Sequence, residues 1–217
     1  MTSQYRDENG VFTNLLGHVD AAALRETEYE LTFLRAAELT KNSDVIAVDG
    51  FGLDRLQAIH QYLFKGVYPW AGLLRTVPLS RRTESRLLTH FVAPDAIALR
   101  WIQLQTKCEV FASQRGGSAA GKIETLCEIF VEANKIHPFV EGNGRALRIF
   151  LEQLAKRRQI TLDFSAVDPD AWNHASALAS DHGRMFEKTH FVAAPSDTRP
   201  IATIFRGMAA SIKEHGS

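Results

Sequence analysis

Charge of one sign is what this 217-residue chain lacks most: Lys and Arg together number 25, as do Asp and Glu, so the formal net charge is zero. A balanced chain has no bulk electrostatic grip on a phosphodiester backbone, and direct nucleic-acid binding is not expected. Cysteine is scarce. Cys108 and Cys127 stand nineteen apart with no C-x-x-C spacing, which reads as two reduced, partly buried thiols rather than a disulfide or a metal site. No apolar run approaches the ~20 residues of a membrane span. The N-terminal "MTSQYRDENG" has no apolar segment of a secretory signal. The expectation is a cytoplasmic protein, or one exported by a route that leaves no N-terminal mark, with no membrane partner. Several catalytic signatures are absent too: G-x-x-x-x-G-K-[ST], a dinucleotide fingerprint behind a strand, H-E-x-x-H and G-x-S-x-G.

What is present is a globular composition, 45% apolar and 23% charged, with mostly helical patterning. Apolar residues recur at helical spacing over Val19–Leu39, with Asp20 as N-cap, and over Leu53–Phe64. The pattern returns at 95–112, Lys122–Ile136 and Ala146–Arg158, after Asp168-Pro169 as N-cap and N1, and within 195–215. Residues 67–93 differ: Pro69, Gly72 and Pro78 separate short β-prone pieces, which predicts a hairpin or extended flap. The fold class expected is all-α with a small β-hairpin flap. An arm and helical extension would occupy 1–50, a core 51–190, and a helical tail 191–217.

The chemistry concentrates in "IHPFVEGNGRALR", Ile136–Arg148. Pro138 ends the preceding helix, because the residue before a proline avoids the α region. Gly142 and Gly144 free the backbone, and Asn143 tolerates the same conformations. A helix then starts near Gly144–Arg145. A glycine-rich loop feeding a helix N-terminus gathers amide groups at one point and suits phosphate. Arg145 and Arg148, three apart, share a helix face and suit a polyphosphate. Glu141 at the loop edge is placed to hold Mg²⁺ between phosphate oxygens. His137 titrates near neutrality and suits removal of a proton from an attacking hydroxyl. A plain helix–turn–helix corner with solvated arginines explains each residue singly and the combination poorly.

This stretch resembles the signature of the Fic family, H-P-F-x-[D/E]-G-N-G-R-x-x-R, at every fixed position from His137 to Arg148. "YPWAGLLRTVPLS" (Tyr68–Ser80) is similar to the family's flap and "IHQYLF" (Ile59–Phe64) to the helix before it, so the resemblance covers roughly residues 50–190. It implies transfer of AMP from ATP to a Tyr, Thr or Ser hydroxyl of a target protein, with pyrophosphate leaving. His137 would be the base and Glu141 the Mg²⁺ ligand. Gly142, Asn143, Gly144, Arg145 and Arg148 would hold the phosphates. Phe139 would anchor the loop in the core. Leu74, Arg75, Thr76 and Val77 would align the target as an added strand. Gly144 stands where a phosphorylating branch of the family has lysine, which favours AMP transfer. Arg81 and Arg82 stand where many relatives have "SKG".

Many Fic proteins carry a self-inhibiting motif, [S/T]-x-x-x-E-[G/N], whose glutamate pairs with the second arginine, here Arg148. Glu8-Asn9 and Glu141-Gly142 are the only Glu-[G/N] pairs in this chain, and Gln4 and His137 stand four residues before them. The resemblance therefore implies a bacterial toxin restrained by a small antitoxin that supplies the glutamate, with ATPase subunits of type II topoisomerases as targets. A host-directed effector domain, a transferase of UMP, phosphate or phosphocholine, and a catalytically dead binding module are the alternatives.

Overall fold

The structure, a computed structural model, describes residues 3–82, 87–186 and 190–210. Among them the chain forms helices α1 (Ala21–Lys41), α2 (Leu53–Phe64), α3 (Ile97–Ser113), α4 (Ala119–Ile136), α5 (Asn143–Lys156), α6 (Pro169–Leu178) and α7 (Arg199–Ala210). Strands β1 (Ser80–Arg82) and β2 (Leu87–His90) lie between α2 and α3, and β3 (His182–Phe186) and β4 (His190–Ala194) between α6 and α7. The expected mainly helical class is present.

Caps decide where several helices start. The Asp20 carboxylate accepts the amides of Ala22 and Ala23, and Asp168 accepts that of Ala171 at 2.8 Å ahead of Pro169. α4 begins three residues before the expected Lys122 because the Ser118 hydroxyl accepts the Gly121 amide. That cap lies inside "QRGGSAAG" (Gln114–Gly121), a glycine-rich piece whose sequence reads as a loop. α2 matches its expected span. In the C-terminal segment α7 ends at Ala210, and the expected continuation through 211–215 lies outside the described residues.

The core is built around α4, whose Leu126, Ile129 and Phe130 are buried where it meets α3, α5 and α7. Phe150 of α5 is fully buried. Phe51 and Trp101 meet its ring edge-on, each at a centroid distance of 5.7 Å. A side chain of that size stabilises the fold by about 1.5–3 kcal/mol through burial. Cys108 and Cys127 are buried and free; burial pushes the thiols up to about 12 and about 11, which keeps them protonated and inert.

The sheet is larger than the one hairpin expected. It has four antiparallel strands in the order β1-β2-β3-β4, with Arg81 opposite Thr89, Thr89 opposite His182 and Arg184 opposite Val192. "HGRMF" carries no alternation that marks a strand; pairing with β2, almost a hundred residues earlier, decides its state. β1 is an exposed edge strand. Residues 3–10, part of the expected polar arm, pack back on the body. An isolated bridge joins Arg6 to Phe12, and the Tyr5 ring meets Trp70 edge-on at 5.9 Å.

One cation ties the chain ahead of β1 to the end of α4. Arg75 is 2% exposed. Its guanidinium donates to the carbonyls of His137 (2.8 Å), Val77 (2.9 Å) and Ile136 (3.2 Å), and also to that of Val92. Its amide donates to Pro138 O at 2.9 Å. Leu74, Arg75, Thr76 and Val77, expected to align the target as an added strand, lie ahead of the paired strands. Arg75 is spent inside the fold, and Thr76 is engaged by Gln4 and Tyr5 of the arm. The paired strand starts only at Ser80. Arg75→Met leaves several carbonyls unpaired in the interior and should cost about 3 kcal/mol, read as a lower denaturant midpoint with an unchanged slope.

Candidate active site

His137 follows the last residue of α4 in a left-handed conformation, φ 47° and ψ 64°, with its amide still bonded to Ala133 O at 3.1 Å. A non-glycine residue there costs about 1–2 kcal/mol. Pro138 bars the α conformation at this position, and the Arg75 bonds to the carbonyls on either side hold the alternative in place. The imidazole is 6% exposed and stacks on Phe91 at 3.8 Å and 11°. Neither ring nitrogen has a hydrogen-bond partner among the described residues. Burial pulls its pKa well below the usual value, with the Arg81 and Arg75 charges adding and the Asn134 carbonyl opposing. The ring is neutral at physiological pH and has a lone pair to offer.

The loop after it is clasped from inside. The Asn143 side chain accepts the Phe139 amide at 2.9 Å and donates to the Phe139 carbonyl at 2.7 Å. Asn143, expected to hold phosphate oxygens, thus commits both ends of its side-chain amide to the loop. Phe139 is fully buried, as expected of an anchor, and stacks on His60 at 3.8 Å. His60 Nδ1 accepts the Gly72 amide and Nε2 lies 2.9 Å from Glu141 O. With Nδ1 accepting, the proton sits on Nε2 and donates to that carbonyl. Burial pulls the His60 pKa down to about 4, with the Glu141 bond opposing and Arg145 adding.

Gly142 has φ 81°, and a Cβ there would lie 2.3 Å from Phe64 Cζ. Only glycine lets the loop approach α2 this closely. At Gly144 a Cβ would meet nothing within 4 Å. No side chain caps α5, so the first-turn amides that lack an acceptor one turn back open onto free space. Gly144 and His137 share a cavity of about 520 Å³ with Phe91, Phe130, Asn134 and Trp172.

Glu141 and Arg145 line a second cavity, of about 410 Å³, and Arg81 lines both. Glu141, its side chain 29% exposed, is 3.1 Å from the Arg81 guanidinium of β1 and 4.0 Å from that of Arg145. Arg145 rests on the Phe64 ring at 4.7 Å, donates to Thr32 Oγ1 at 3.0 Å and pairs with Glu28. Arg148 lies over Trp172 at 5.2 Å and Phe164 at 5.4 Å. No ion pair to Arg148 is found among the described residues; Glu152, one turn on, bonds Thr40 instead at 2.9 Å. The structure thus places His137 and Gly144 in one cavity and Glu141 and Arg145 in another, with Arg81 on the rim of both, Gly142 packed against Phe64, and Arg148 on an aromatic support a turn beyond Arg145.

Sequence reasoning missed His60, the inward role of Arg75, and Glu28 and Thr32. An arginine inside the apolar run "AGLLRTVPL" was the signal for Arg75. A glutamate and a threonine one turn apart on the buried stripe of α1 were the signal for the other pair.

The sequence signature from His137 to Arg148 resembles that of a known family, and comparison with known proteins finds the same family. The signature of the "Fic/DOC family" matches residues 50–155. The "Probable protein adenylyltransferase Fic" of Escherichia coli is 30% identical over 166 residues, 76% of this chain and 78% of that protein. The chain belongs to the Fic/DOC family. "Protein adenylyltransferase VbhT" of Bartonella schoenbuchensis is 33% identical over 78% of this chain, which spans only 34% of that relative. Among solved structures, BepC of Bartonella tribocorum with bound AMPPNP superposes with TM-score 0.79 over 94% of this chain and 95% of that one, at 21% identity, a likeness of fold. The type IV secretion system effector protein BepA has TM-score 0.78 and 26% identity over 96% of this chain and 69% of its own.

Gly142→Ala should cost about 2–4 kcal/mol of stability, from the left-handed backbone and the Phe64 clash, whereas Gly144→Ala should leave the thermal midpoint unchanged or slightly raised. Acid should weaken the fold by proton linkage. The unfolded chain protonates His60 near 6.5 and the folded one only at about 4, so the unfolded state binds more protons as pH falls below 6.5. Stability is full at neutral pH and should fall by about 3 kcal/mol by pH 4 from His60 alone. A denaturant midpoint flat over that range would contradict it.

Proposed function

We propose that this chain is a protein adenylyltransferase that moves AMP from ATP to a hydroxyl side chain of a target protein. The observation that carries the reading is the neutral, unpaired imidazole of His137, sharing a cavity with Gly144 at the uncapped start of α5. The ring takes the proton of an incoming Tyr, Thr or Ser hydroxyl. The oxygen attacks the α-phosphorus, the bond from that phosphorus to the oxygen bridging to the β-phosphorus breaks, and pyrophosphate leaves with the electron pair. The amides of Gly142–Arg145, with Arg145 and Arg148, hold the phosphate oxygens. Phe91, Phe130 and Trp172 offer the cavity an aromatic wall for the base. Relatives of 30–33% identity carry the adenylyltransferase name, and BepC and a Bartonella quintana Fic domain have AMPPNP and ADP bound.

Mg²⁺ fits the donor set. Among the described residues no cluster of three potential ligands occurs, and the lone Glu141 carboxylate suits a cation that takes its other ligands from phosphate and water. Glu141 would hold Mg²⁺, which would supply charge neutralisation at the phosphates, and would give up its pairing with Arg81 to do so. The target backbone adds to the free edge of β1, which the strand order leaves open.

Arg148 has no carboxylate partner among the described residues, which supports restraint by a small antitoxin placing a glutamate against it. Type II topoisomerase ATPase subunits are then the targets implied by the family resemblance. The second reading, a host-directed effector domain, is favoured by the likeness to BepA, named a secreted effector. Among the described residues no helix is long and apolar enough to cross a membrane.

Incubation of the chain with lysate and labelled ATP tests the activity. Label from the α-phosphate and none from the γ-phosphate is expected on a target protein; the reverse pattern points to phosphate transfer and removes the proposal. His137→Ala should slow transfer about 10²–10⁴-fold. With the base already deprotonated, the rate should stay level from pH 8 down through 6.5 and fall only in stronger acid, as His137 protonates.

A further inference from the structure

α1 buries four residues, Leu24, Glu28, Thr32 and Leu39. Two of them are polar, and for packing alone apolar residues would serve better, because a buried carboxylate carries a large desolvation cost unless fully partnered. Both meet Arg145. One Glu28 oxygen accepts from the Arg145 guanidinium and the other from the Tyr68 hydroxyl. The Thr32 hydroxyl donates to Tyr29 O at 3.2 Å and accepts from Arg145 Nη1 at 3.0 Å. Each of the two side chains thus has a partner on both sides. Phe64 supports the guanidinium face, and Tyr68 and Trp70 stack behind at 4.2 Å. Two N–H groups of Arg145 are committed to α1, and the remaining three are left for the loop side. α1 lies outside the segment matched by the family signature.

We propose that Glu28 and Thr32 are positioning residues that set the Arg145 guanidinium for nucleotide phosphate. Helix α1 is then part of the active site rather than an extension beside it. A fork held at two points presents its free donors in one orientation, whereas a free arginine loses rotamer freedom on each encounter. The inference rests on Arg145 acting as a phosphate holder, as in the proposed function.

A double-mutant cycle tests it, with two readouts: AMP-transfer rate, and equilibrium binding of a nonhydrolysable ATP analogue, which needs no transfer. Glu28→Leu and Thr32→Val, the latter nearly isosteric and removing only the hydroxyl, should each weaken analogue binding about tenfold and slow transfer at least as much. Glu28→Gln and Thr32→Ser, which keep an acceptor, should recover most of both. In an Arg145→Ala background all four should be without further effect. Losses of the same size in that background, no loss in the native one, or an Arg145→Ala variant that binds normally would each overturn the proposal. Analogue binding that follows the cycle in a chain that never transfers label would refute the AMP-transfer reading and leave the positioning role standing.

Discussion

Arg75 donates from one buried guanidinium to the carbonyls of Val77, Val92, Ile136 and His137, and the geometry of the whole site follows from that grip. The end of a helix leaves carbonyls without partners, and a proline after it leaves the chain no α-helical way forward. A cation with donors spread in a plane meets both needs. It satisfies the helix end and holds His137 in a conformation that a free chain would leave. The residue held in that left-handed conformation also carries an imidazole with no hydrogen-bond partner among the described residues.

The neighbouring charges form a graded set. Burial, with the Arg81 and Arg75 charges adding to it, holds the His137 pKa well below the usual value. Arg81 in turn holds Glu141, and Glu28 holds Arg145. Arg148 lies over the Phe164 and Trp172 rings with no ion pair among the described residues; burial lowers its pKa and the Glu152 and Tyr29 charges oppose that. A polyphosphate entering this rim meets cations with different degrees of freedom: one anchored through α1, one on an exposed edge strand, one on an apolar bed. The fixed one costs least to use, since its entropy is already lost in folding.

Much of this was legible in the chain. α2 was readable to the residue, because Leu56, Ile59 and Leu63 repeat on a face and Gly66 stops it. Asp20 and Asp168 were readable as caps because capping is local chemistry. The loop from His137 to Arg148 was readable because glycines, a proline and paired arginines at fixed spacing restrict the backbone whatever surrounds it. Ser118 was not, since its cap lay inside a stretch that looked like loop. The strands at 182–194 were not, since β2 supplies their pairing from far away in sequence. The Leu74–Val77 segment was placed on the docking edge, although its arginine points inward.

By itself, then, the sequence determined the span of α2, the caps at Asp20 and Asp168, and that the loop between α4 and α5 must be tight at Gly142. Those properties depend on neighbours within a turn. Tertiary structure alone decided what each charged group does: that Arg75 serves backbone rather than a target, that Asn143 clasps its own loop, and that Glu28 and Thr32 of α1 reach Arg145 more than a hundred residues away. A charge's role depends on what lies opposite it and how little water is left between them, and neither is written in local spacing.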